Sequence, residues 1–178
     1  MGGAACERRP PNWGEAMRTK RIMDFEGIAP DGGTAQVPDG YAGLDWGPNA
    51  FAIDDEVHPG SGYVAAIRSG EAAGYTAGGR PVTFGLLDGA SFGFRAFFAA
   101  AAWKIDLEVT VEGYRDGELV AVASFTLDPV GLRIRLVRDF DPDFRDVDMV
   151  SIDGAGGSDA GLGGYGRMVA LDDLVLLV

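Results

Sequence analysis

Cysteine, histidine and long apolar runs are nearly missing from this 178-residue chain. Cys6 is the only cysteine and His58 the only histidine, which excludes an internal disulfide and a zinc site built from Cys and His ligands. The longest apolar run, Ala96 to Trp103, falls far short of the ~20 residues that cross a bilayer as a helix. Basic residues are also few: 15 Lys and Arg face 27 Asp and Glu, a net charge of −12. That balance argues against nucleic acid or an anionic membrane surface as partner, and it suits cations, neutral ligands or sugars. Residues 1–20 have no apolar stretch of the kind a standard secretory signal carries. Their polar, Pro- and Gly-rich composition predicts a disordered lead-in, with Met17 as an alternative start and residues 21–178 as a single domain.

What the chain has in quantity is glycine, 28 residues, and short alternating runs bounded by Gly, Asp, Asn and Pro. Helix signals are scarce. This is the pattern of an all-β sandwich or barrel. The clearest run is Lys104 to Leu127. Ile105, Leu107, Val109 and Val111 alternate with polar residues, an Asp116-Gly117 turn follows, and Leu119 to Leu127 returns. A third strand, Gly131 to Val137, would extend this hairpin to a meander. Further strands are predicted at Arg21–Gly27, Tyr41–Trp46, Gly62–Arg68, Val82–Leu86, Ser91–Phe97, Val147–Asp153 and Arg167–Val178. The last is apolar on both parities, as expected of a strand covered on both faces or central in its sheet. Ala96–Ala102 reads either as a helical turn or as a continued strand. Gly154–Gly166 (GAGGSDAGLGGYG) predicts a flexible loop. It lacks the Gly-Lys-Ser/Thr of a phosphate-binding loop.

Two acidic signatures stand at opposite ends of the domain. Asp24-Phe25-Glu26 opens the first strand and Asp172-Asp173-Leu174 lies in the last. Burying a carboxylate without a partner is costly, so two such sites in terminal strands point to a shared partner. A hard cation held by oxygens is the simplest candidate. Alternation puts Asp24 and Glu26 on one face and Phe25 in the core. Asp172 and Asp173 point to opposite faces, so at most one of them joins Glu26. The other reading is acids solvated at a sheet edge, with Asp173 paired to Arg21 or Arg167.

Catalytic signatures are thin. His58 sits in a Pro/Gly turn and predicts an exposed loop residue. The acids of Asp54–Glu56 and Asp139–Asp143 lie in Pro-containing loops, where solvation is the default. Aromatic side chains offer another chemistry, since a sugar ring stacks its CH face on Trp or Tyr. Trp46 and Trp103 read as core. Tyr41 with Asp45, Tyr114 beside the hairpin turn and Tyr165 in the Gly-rich loop are the candidate ligand-binding residues.

With Asp24-Phe25-Glu26-Gly27 at the start and Leu171-Asp172-Asp173-Leu174 at the end, the chain resembles jelly-roll β-sandwich modules, including carbohydrate-binding modules and MAM-type adhesion domains. Gly40–Trp46 and Gly113–Gly117 are similar to segments of small bacterial extracellular proteins. The resemblance implies an antiparallel jelly-roll sandwich with a structural calcium held by Glu26 and Asp172 or Asp173, supported by Asp24. It also implies non-catalytic glycan binding outside the cell or at its surface. The alternatives are a lyase or hydrolase of the same fold, and a structural or adhesion protein. MAM-type domains carry disulfides, which this chain cannot form.

Overall fold

Among the described residues the chain forms eleven strands in two antiparallel sheets. The computed structural model describes residues 18–129 and 142–178, so the expected strand Gly131–Val137 and most of the 1–20 lead-in lie outside the described residues. The first sheet holds β1 (Lys20–Met23), β2 (Thr34–Gln36), β4 (Ala50–Asp54), β5 (Ala72–Thr76), β7 (Gly93–Ala101) and β11 (Val169–Leu177). The second runs in the order β3 (Leu44–Trp46), β6 (Val82–Leu86), β10 (Met149–Asp159), β8 (Lys104–Arg115) and β9 (Glu118–Leu127). The chain passes repeatedly from one sheet to the other, the winding of a jelly-roll sandwich. No helix among the described residues is long and apolar enough to cross a membrane.

β11 is central, as its two apolar parities predict. It pairs with β7 along one edge from Val169 to Leu177. Its other edge meets β5 at Ala170 and Leu171, then β1 from Leu174 to Leu177. The first and last strands of the domain are therefore hydrogen-bonded neighbours. Between the two partners, β11 carries bulges from Asp172 to Val175, and Asp173 takes a φ of 47°. Asp is among the few residues that tolerate this left-handed conformation.

Two clusters of apolar side chains follow from double burial. The main core lies between the sheets and includes Phe25, Trp46, Phe84, Phe94, Phe97, Val109, Ile152 and Leu171. A second cluster lies on the outer face of the first sheet, where Ala73, Ala100, Ala102 and Ala170 face Tyr63 and Ala66 of α1 (Gly62–Ala66). Small side chains on that face let the helix approach. The alanine run is strand through Ala101, with Ala99 and Ala101 in the main core and Ala100 and Ala102 under the helix.

Several expectations are corrected. Arg21–Gly27 stops being strand at Met23, and Asp24, Phe25 and Glu26 follow its end. Tyr41–Gly43 forms a 3-10 turn, so β3 begins only at Leu44. Gly62–Arg68 is helical over Gly62–Ala66, because the Ser61 hydroxyl accepts the Tyr63 N–H at 3.2 Å and caps the turn. Strands β2, β4 and β5 had no clear alternating signal. Gly154–Asp159 continues β10, paired with β8 down to Asp159 opposite Lys104, so only the residues after it form the loop. Ile105 is 43% exposed although it shares the parity of Leu107. The adjacent Asp106 has a φ of 54°, which takes the strand end off the regular pleat.

Phe25 lies outside any strand yet is buried, with its ring 5.8 Å from Trp46. Phe25→Ala is expected to cost about 3–5 kcal/mol and to lower the melting temperature by about 10 °C or more. Calorimetry checks this; a shift of only a degree or two would make Phe25 an ordinary turn residue.

Candidate functional site

The acidic signatures come first, since the sequence points to them. Asp172 is fully buried. Its Oδ2 accepts the backbone N–H groups of Arg68 at 2.6 Å and Ser69 at 3.0 Å, and its Oδ1 accepts that of Asp173 at 2.7 Å. Asp173 accepts the Ser69 hydroxyl at 2.7 Å. Glu26 Oε1 accepts the N–H groups of Glu71 and Ala72 at 3.0 and 2.9 Å. Both ends of the domain thus share one partner, the backbone of residues 68–72. Gly70 sits under the Glu26 carboxylate with a φ of +63°, where a Cβ would come within 2.0 Å of it. Asp24 Oδ1 caps the Glu26 N–H and lies 3.4 Å from the Tyr41 hydroxyl.

This donor set fits amide capping rather than a calcium cage. Calcium wants six to eight converging oxygens. Here the acids accept N–H and O–H donors one by one, and among the described residues no group of three or more His, Cys, Asp or Glu side chains could hold a metal ion. Burial pushes the Asp172 carboxyl above its ordinary range, opposed by the three N–H bonds. Asp172→Ala would leave buried amides without acceptors, an expected loss of about 3–5 kcal/mol. Thermal unfolding of the wild type with EDTA, against excess calcium, is expected to give one midpoint. A calcium-dependent rise would reinstate the cation, because a ligand of the folded state must stabilise it.

The four aromatic and acidic ligand candidates do not converge. Tyr41 is half-buried, and its hydroxyl donates toward the Asp24 and Glu26 carbonyls at 3.2 and 3.4 Å. Burial and the neighbouring Asp24 push its phenol up. Tyr41 and Asp45 therefore do not form the exposed pair expected of them. Asp45 lines a hollow of about 340 Å³ with Thr83, Gly85, Asp148 and Met149. Tyr114 shares its cross-strand row, through Asp45–Gly85, Gly85–Met149 and Met149–Tyr114 pairings, three strand spacings or ~14 Å away. The Tyr114 hydroxyl donates to Glu112 at 2.7 Å, a bond that raises its pKa.

Tyr165 stands elsewhere, on a cavity with aromatic walls. It is 88% exposed on the loop between β10 and β11. A cavity of about 400 Å³ is lined by Tyr165, His58, Tyr63, Trp103, Met168 and the glycines at 78, 163, 164 and 166. His58 comes from the turn before α1, Tyr63 from the helix and Trp103 from the β7–β8 connection. The His58 ring lies 5.0 Å from Trp103 at 75°, and Tyr63 lies 5.6 Å from Trp103 at 88°. His58 and Tyr63 stack at 5.9 Å and 24°.

Backbone bonds tie these connections to one another. Gly62 N–H donates to Ala102 at 3.1 Å, Ala102 to Met168 at 2.9 Å and Ala160 to Trp103 at 3.0 Å. The Ser61 hydroxyl donates to the His58 carbonyl at 2.7 Å, and Arg167 Nε to the Gly79 carbonyl at 2.9 Å. A Cβ at Gly164 would come within 2.3 Å of the Trp103 indole, so the loop backbone lies directly on that ring. Burial, then Tyr75, pushes the Tyr63 phenol far up, opposed by a hydrogen bond with Trp103. Tyr63 is therefore protonated across the physiological range.

Sequence reasoning found Tyr165 but missed its companions. His58 is exposed, as expected, yet belongs to an aromatic group. Tyr63 was placed in a strand. Trp103 is buried at 6% exposure, as a core residue should be, while still forming a cavity wall. The one usable local signal was Ser61 ahead of Tyr63, a helix cap that would have moved Tyr63 off a strand.

No family model matches the chain, and no curated protein sequence matches it. Among solved structures the chain is similar to a DUF4465 family protein from Bacteroides caccae. The TM-score is 0.58 at 11% sequence identity, over 89% of this chain and 98% of that one. It is also similar to TmCBM61, solved in complex with β-1,4-galactotriose. There the TM-score is 0.36 at 15% identity, over 78% of this chain and 93% of that one. The first likeness shows a shared architecture and nothing about activity.

Proposed function

We propose that this chain is a glycan-binding β-sandwich protein acting outside the cell or at its surface, and that the aromatic cavity around Tyr165 holds the sugar. One observation carries the reading: His58 and Tyr63, Trp103, and Tyr165 are brought from three separate segments to the wall of one cavity of about 400 Å³. Aromatic rings held at a solvent-open wall match the apolar CH face of a sugar, while imidazole and phenol groups address its hydroxyls. The net charge of −12 suits an uncharged ligand better than a polyanion.

The lining chemistry supports binding rather than hydrolysis. Paired-carboxylate hydrolysis needs two carboxyl groups facing the scissile bond, and among the described residues no Asp or Glu lines this cavity. A lyase would need a phenol or imidazole acting as base; Tyr63 is shifted away from that task. The acids around residues 68–72 are read as a stability device, with no part in ligand contact.

The test is binding of the purified protein to a glycan array, followed by titration of the best ligand. Tyr165→Ala is expected to weaken binding by about 10-fold or more, the scale of one lost aromatic stack. It should leave the melting temperature unchanged, because Tyr165 is 88% exposed. Equal binding by wild type and Tyr165→Ala would sink the proposal.

A further inference from the structure

The arrangement of the rings speaks to which part of a glycan would enter. A surface that recognises a linear stretch of polysaccharide presents aromatic faces side by side, one for each successive ring. The rings here are set otherwise. Tyr63 meets Trp103 at 88° and His58 meets Trp103 at 75°, while His58 and Tyr63 lie near parallel at 24°, so Trp103 stands crosswise to the other two rings. Tyr165 stands apart from that trio on the glycine-rich loop, and Gly78 and Met168 complete the lining. A cavity of about 400 Å³ lies at the small end of the range for ligand sites, about 300–1,000 Å³. That is room for one sugar ring and part of a second.

The walls are also fixed. The Gly62–Ala102, Ala102–Met168 and Ala160–Trp103 backbone bonds hold the connections together. The Gly164 backbone lies against Trp103 with no space for a side chain. These bonds join the segments that carry Tyr63, Trp103 and Met168.

We infer that the cavity takes a single terminal sugar ring, at a chain end or a branch tip, in preference to an internal stretch of polysaccharide. This rests on the glycan-binding reading of the same site and adds the mode of recognition to it.

The experiment uses the full chain and a calorimetric titration. The probes are β-1,4-linked gluco-, galacto-, manno- and xylo-oligosaccharides of one to six rings. For the series that binds, affinity is expected to level off by the second ring, changing by less than about threefold thereafter. Binding capacity per mass of the parent polysaccharide is expected to rise when an endo-acting glycanase multiplies its chain ends. Affinity that climbs about tenfold or more between two and six rings, or capacity indifferent to chain ends, would overturn the inference. With Tyr165→Ala still weakening binding about 10-fold or more, either result would leave the glycan-binding reading standing. Absence of binding by every probe, or equal binding by Tyr165→Ala, would remove both.

Discussion

The double burial of β11 is the constraint on which the rest depends. It packs into the main core on one face and under α1 on the other, and it is hydrogen-bonded along both edges. A strand in that position must satisfy every polar group without water. It does so by borrowing side chains where neighbouring strands run out. The buried Thr76 hydroxyl accepts the Val169 N–H at 2.9 Å, where pairing with β5 begins. The Asp172 carboxylate fills the seam where pairing passes from β5 to β1. Both Thr76 and Asp172 are fully buried, and both are explained by the ladder they complete.

That seam recasts the acidic signatures. The sequence argument that the two acid groups need a common partner holds, although Glu26 lies past the end of β1. The partner found among the described residues is a stretch of backbone, residues 68–72, which presents N–H groups to these carboxylates. An amide cluster and a hard cation both reward a buried carboxylate. A one-dimensional pattern cannot tell them apart, because the amides belong to a segment distant in sequence.

The fold was legible where burial is one-sided. The hairpin of β8 and β9 follows from alternation and the Asp116-Gly117 turn, and β6 matches an expected strand. It was illegible where burial is two-sided or where chain geometry overrides pattern. The alanines of β7 serve the core and the helix in turn, so no parity shows. The glycines of 154–157 looked like loop because glycine carries no side chain to alternate, yet their backbones pair with β8. The candidate site shows the same limits. Tyr165 was visible because it lies in an obvious loop. Tyr63 and Trp103 were not, because each spends most of its surface in packing and offers only an edge or a face to the cavity.

The backbone bonds that join the pocket's connections have a consequence for change over time. An N–H and a carbonyl are the same at almost every residue, so these bonds do not depend on the side chains at 58, 165 and 168. Positions such as 58, 165 and 168 can be exchanged while the connections stay in register. If the cavity binds as proposed, its preference is then free to drift from one ligand to another without a toll on the sandwich beneath.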